Sequence, residues 1–173
     1  KLSELGARIG LIGAPGATPY SAVGAYCRNG PDALRASIAS MSANVERYNF
    51  DLGGPVFPEG IGQAVDCGNL PFDEDDPSTN RMNINFVVAV FLDNEMVPIV
   101  LGGDDSVPIP MLQAYETTGK SYTILQLDAH IDWRSEHMGE RMGLSSTMRR
   151  ASEMDHIERI IQVGARGIGS ASV

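Results

Sequence analysis

The stretch LQLDAHIDWR, Leu125 to Arg134, sets Asp128, His130 and Asp132 at alternate positions directly after an apolar run. Two carboxylates and an imidazole crowded in this way repel or desolvate one another unless a cation sits among them. In extended backbone the three side chains project to one side, with about 6 to 7 Å between successive Cα atoms of the set. A divalent ion, or a pair, can be gripped from that side. A second acidic turn, GGDDS from Gly102 to Ser106, also follows an apolar run. Asp105 there can supply a further oxygen, and Gly102 and Gly103 let backbone pass close by. Oxygen-rich sites with a histidine suit manganese or a similar divalent ion better than zinc in a thiolate cage. Two such ions make water a strong nucleophile at neutral pH. Plainer readings stay open: DAHID as a solvated surface loop, and Asp104 or Asp105 as a cap for the next helix. His137 and His156 lack comparable neighbours and are expected to face solvent, and Trp133 is expected to pack rather than to wall a site.

The elements that must position these residues read as alternating strands and helices. ARIGLIGAPG, from Ala7 to Gly16, is a glycine-bounded apolar run expected to form a buried strand. GPDALRASIASMS follows as a helix, with Pro31 near its start and Ala33, Leu34, Ile38 and Met41 on one face. Ala64 to Leu70 is a short strand candidate, and the polar loop after it offers Ser78 or Thr79 as a helix cap. The helix over about 80–94 then presents Ile84, Val87, Val88, Phe91 and Leu92 on one side. VPIVLGG, the run from Tyr122 to Leu127, and ERIIQVG read as further strands, with a helix over VPIPMLQAYE between the first two. Strands without clean alternation, separated by helical segments, indicate a parallel sheet covered on both faces. In such sheets ligands bind beyond the carboxyl ends of the strands. GGDDS and DAHID both fall there and are expected to face one crevice.

Length and composition set the frame. The 173 residues suffice for one domain with a real core, and residues 1–173 are read as a single unit. Hydrophobic residues make up 43% and charged residues 20%, ordinary for a globular protein. The net charge of −9 opposes nucleic-acid binding, which needs a basic face. No apolar run reaches the length of a membrane span, and KLSELGARIG lacks the layout of a signal peptide, so a cytoplasmic location is expected. Cys27 and Cys67 form no CxxC and are expected to be reduced thiols. A nucleotide-binding module is disfavoured because GLIGAPG matches neither glycine-rich phosphate motif and the strand ends are acidic.

These residues carry a resemblance. VLGGDDSVPIPML and LDAHIDWR resemble the metal-binding signatures of the ureohydrolases, the arginase and agmatinase family, usually GGDHS and DAHxD. RNGPDALR, MRRASE and IIQVGARG resemble further family segments in the same order, the second of them like the FRRA stretch of agmatinase-like members. The resemblance implies an arginase-like, three-layer α/β/α fold with a mostly parallel central sheet. It also implies two Mn2+ ions per site, no organic cofactor, a small cationic guanidino substrate and a homo-oligomer. Carried over by position, Asp128 would bridge both ions, His130 would bind one and Asp132 the other. The expected reaction is hydrolysis of a linear guanidino compound to urea and an amine, with agmatine the first substrate to try and guanidinobutyrate next.

Three departures bear on that expectation. Asp105 stands where the family has a histidine ligand, which replaces a neutral imidazole by an anion and is expected to weaken manganese binding. Leu144 and Ser145 stand where agmatinase-like members have a His-Gly pair serving substrate or proton transfer, so no catalytic residue is assigned, and His137 lies too far upstream for a simple substitute. The family's late SxDxDxxDP motif does not occur before Val173, so the chain is expected to be the N-terminal portion of a catalytic domain and to turn over little by itself. An impaired relative serving as a structural or regulatory subunit is the alternative that these departures leave.

Overall fold

The structure is a computed structural model and describes residues 6–42, 47–57 and 63–168. Strand β1 (Ala7–Ala14) lies between β4 (Gln63–Asn69) and β5 (Val97–Gly102), parallel to both. Strands β6 (Tyr122–Leu127) and β7 (Ile157–Val163) form a second parallel pair. Two short strands, β2 (Tyr48–Asn49) and β3 (Gly54–Pro55), make an antiparallel hairpin. The expected strands therefore form and the main ones are parallel, but β5 and β6 belong to separate sheets among the described residues.

Helices cover both faces of the three-stranded sheet. Alternation along β1 points Gly10 at Phe91 of α2 (Pro77–Asp93) and Gly13 at Pro31 of α1 (Gly30–Ser42), the layering of an α/β/α sandwich. The core lies under α2, where Ile84, Val88 and Phe91 bury against Ile12, Ala14 and Met96, with Val87 and Leu92 packed at its margin. Burying these side chains contributes about 1.5–3 kcal/mol each. α2 begins three residues earlier than its apolar stripe suggests. Asp76 is its cap in place of Ser78 or Thr79, accepting from the Thr79 backbone N–H at 3.0 Å, and Pro77 suits the first turn because it needs no donor there.

α1 departs from expectation in its packing. Leu34 and Ile38 are 45% and 49% exposed, and the side chain of Met41 lies outside the described residues. α1 is tied down by Pro31, buried against Gly13, and by Arg35, which makes paired bonds of 2.7 and 2.8 Å to Asp66 on β4 and also reaches the Asn69 side chain. β6 and β7 are likewise not buried on both faces. Leu125 and Leu127 align with Ile161 and Val163, and all four are exposed. Cys27 and Cys67 are free thiols.

After β5 the chain turns over the end of β1. The Gly103 N–H donates to Ala14 O at 2.8 Å, and a Cβ on Gly103 would sit 1.8 Å from the Pro15 carbonyl oxygen. Only glycine fits that crossing, which delivers Asp104 and Asp105 to the crevice. The expected helix splits into α3 (Pro108–Ala114) and a 3-10 turn, Tyr115–Thr118. The last helix, α4 (Thr147–Ala151), is short and lies beside α3.

Candidate metal centre

Asp105 follows β5, and Asp128 and Asp132 follow β6. The structure brings one carboxylate oxygen of each within 4.8 Å of the others. The two acidic turns therefore face one crevice across the gap between the sheets. His130 does not join this trio: its side chain is 65% exposed and its Nδ1 lies 3.6 Å from Asp128 Oδ1 at the rim. The reason is local. The Asp128 carboxylate accepts from the His130 backbone N–H at 2.6 Å, and Asp132 has φ +48°, so the segment turns and the alternation expected of extended backbone is lost. The turn carries Asp132 inward to meet Asp105.

Each aspartate is held by residues that spacing alone did not mark. Gln126 on β6 donates to Asp132 Oδ2 at 2.7 Å, and Gln162 on β7 donates to Gln126 at 2.5 Å and to the Ile131 carbonyl at 2.9 Å. A parallel pair with Gln126 and Gln162 in register thus fixes the loop that follows it. α4 closes the site from behind: Thr147 Oγ1 donates to the Asp105 carbonyl and the Arg149 N–H donates to the Asp132 carbonyl at 3.1 Å. Thr147 and the MRRA stretch after it therefore bond one acidic loop each. The sequence signal of that stretch was the family resemblance, whereas the two glutamines gave none. Neither Asp104 nor Asp105 caps α3, whose cap position is Val107 with no side-chain bond, because the helix starts only at Pro108. Asp104 is buried and accepts from the Ser106 N–H at 2.9 Å, bracing the turn before α3, while Ser106 Oγ accepts from Thr18 N–H.

Three carboxylates this close are a strained arrangement without a cation. Burial, then the charges of Asp132 and Asp128, push the Asp105 carboxyl up to about 8 from its ordinary 3.8. Its Oδ2 is buried with no hydrogen-bond partner. A buried orphan oxygen among like charges is what a hard divalent cation satisfies, and three carboxylates are a donor set suited to magnesium or manganese. The residues present fit such an ion.

Beside the trio lies a cavity of about 210 Å³ lined by His130, Asp132, Trp133, Arg134, Leu144, Ser145 and Ile168. Trp133 therefore walls the site instead of packing away from it. The positions of the absent His-Gly pair, Leu144 and Ser145, line this cavity. His137 is not solvent-facing: the chain folds back so that its Nδ1 lies 2.6 Å from Arg134 Nη1 and its ring lies 4.7 Å from that of Tyr20, whose hydroxyl bonds Ser145 Oγ at 2.7 Å. A loop thus returns His137 to the neighbourhood of Ser145. His156 is also partly buried, with Nε2 2.9 Å from Leu112 O.

Comparison with known proteins agrees with this geometry. The chain is 31% identical over 147 residues to the mitochondrial agmatinase of Gallus gallus, covering 81% of this chain and 40% of that protein. It is 28% identical over 151 residues to a guanidinobutyrase of Pseudomonas aeruginosa, covering 82% and 43%. The agmatine ureohydrolase of Thermoplasma volcanium superposes with a TM-score of 0.72 at 25% identity, over 95% of this chain and 52% of that one. The chain spans about half the length of the curated relatives it matches. No helix among the described residues is long and apolar enough to cross a membrane. The sequence pattern of the arginase family matches residues 7–173, from the first strand through both acidic loops, and the chain belongs to that family.

Proposed function

We propose that the protein, at its full length, hydrolyses a linear guanidino compound to urea and an amine with the help of divalent manganese. The observation that carries this reading is the trio of Asp105, Asp128 and Asp132 at the strand ends, opening beside a cavity walled by Trp133 and Arg134. Asp105, Asp128 and Asp132 would hold the ion, with His130 at the rim as a further donor. When bound, the ion supplies the positive charge that makes water nucleophilic near neutral pH.

The chain's own residues do the rest. The acidic crevice attracts a guanidinium group, and the rigid Gln162–Gln126–Asp132 chain of hydrogen bonds keeps one carboxylate oriented for it. Trp133 and Leu144 exclude bulk water from the adjacent cavity. Ser145 lines the same cavity and its hydroxyl bonds that of Tyr20, whereas Tyr20 and His137 line a separate cavity with Glu140.

Arg134 bears on the substrate. Arg134 is among the residues lining the cavity, and its positive charge there would repel the ammonium end of agmatine and attract a carboxylate. That ranks guanidinobutyrate and similar guanidino acids ahead of agmatine, the reverse of the order suggested by resemblance alone. The relative named a guanidinobutyrase is consistent with this ranking. The test is urea release by the full-length, manganese-loaded protein from 4-guanidinobutyrate and from agmatine. Faster turnover of the guanidino acid supports both statements. Preference for agmatine removes the role of Arg134, and urea from neither would leave the structural or regulatory subunit as the better reading.

A further inference from the structure

On the outer side of α4, away from the acidic trio, a second cavity of about 430 Å³ is lined by Gln113, Arg141, Met142, Arg150, Glu153 and Met154. It shares no lining residue with the cavity at Asp132. Its charge is the opposite of the protein's. Arg141, Arg149 and Arg150 all lie within 4.0 Å of the single carboxylate of Glu153, at 3.9, 3.1 and 3.0 Å, and of these Arg141 and Arg150 line the cavity with Glu153, leaving one positive charge over in its wall and Arg149 beside it. A chain with a net charge of −9 thus concentrates cations at one cavity.

Arg150 gives the second observation. Its side chain is only 6% exposed, one nitrogen is engaged by Glu153, and its Nε is buried without a hydrogen-bond partner. Buried charged donors are nearly always satisfied, so the orphan Nε marks Arg150 as a cation that Glu153 alone does not saturate. Burial holds the Arg150 guanidinium below its usual value, with Glu153 opposing this and Arg141 and Arg149 adding to it. Guanidinium groups bind carboxylate and phosphate oxygens in paired bonds, and Gln113 provides an amide donor on the same wall.

We propose that this cavity is a binding site for a small oxyanion of the phosphate or carboxylate class, distinct from the metal centre. The test is calorimetric titration of the intact protein with inorganic phosphate and, separately, with succinate, in chloride buffer of constant ionic strength. Saturable binding of one of the two is expected, and which one binds identifies the source of the oxyanion. Arg141→Gln should weaken that binding by about tenfold or more, the loss of one charge-assisted contact. Arg141 is 60% exposed, so this variant keeps the core intact, in contrast to a change at Arg150. Asp128→Asn should leave anion binding unchanged while lowering manganese content. Binding of neither anion, undiminished binding by the Arg141 variant, or loss of binding in the Asp128 variant would each overturn the proposal, the last by showing that the anion sits at the metal.

Discussion

Replacing Asp105 by asparagine should make the metal-free protein more stable and the manganese-loaded protein less so. Asp105 titrates at about 8 in the fold against 3.8 ordinarily, because it is buried against Asp132 and Asp128. A raised carboxyl favours the folded state fully below the unfolded value, near pH 4, and that contribution is lost as pH rises toward 8. At pH 7 the fold must hold a proton that the unfolded chain has released, at a cost on the order of 4 kcal/mol. Asparagine has nearly the same shape and no charge, so Asp105→Asn should recover roughly half of that cost, about 2 kcal/mol, once water at the partly open crevice is allowed for. For a chain of this size that is a rise of roughly 4–8 °C in Tm. The assay is thermal unfolding of both proteins in chelator and in manganese, from pH 4.5 to 8. The variant should gain with pH in chelator, match the parent near pH 4.5, and lose the manganese-dependent rise. Equal pH slopes in chelator, or a variant less stable than the parent at pH 8 without metal, would refute the reasoning that the three carboxylates await a cation.

Asp105→His, which restores the family's usual ligand, should raise manganese affinity on the order of tenfold at pH 7, read by titration against a competing chelator, because the ion no longer has to displace the proton that Asp105 holds up to about pH 8. Arg134→Gln should raise KM for guanidinobutyrate about tenfold while changing that for agmatine much less, measured by urea release. Arg35→Gln should cost about 1 kcal/mol in denaturant melts, the upper range for an exposed pair, since the bond is bidentate. Arg35 holds the Asp66 carboxyl below its usual range, so this contribution is present above pH 4 and is lost as pH falls through the lower folded value. Parent and variant should therefore converge in acid. Phe91→Ala, emptying the space beneath Gly10, should cost about 3–5 kcal/mol in the same melts.

The sequence by itself determined the elements and the address of the site. Short apolar, β-branched runs form strands, and acidic residues directly after two of them must lie at the strand ends, so β1, β5, β6 and the meeting of Asp105 with Asp128 and Asp132 were legible, while the exposure of Leu125 and Leu127 on β6 was not. Tertiary structure decided what depends on partners distant in the chain. His130 stands at the rim because Asp128 bonds its backbone and Asp132 takes a left-handed turn, neither of which alternation reveals. Gln126 and Gln162 matter only because parallel pairing sets them side by side, and His137 matters only because a loop returns it to Arg134 and Tyr20. Leu34 and Ile38 have the spacing of a buried face yet remain exposed, because α1 is fixed by Pro31 and Arg35 rather than by its apolar stripe. Periodicity records what a segment can bury or present. Which groups then meet is set by packing between segments far apart in sequence, and so are the charge of the crevice and of the cavity beside Arg150.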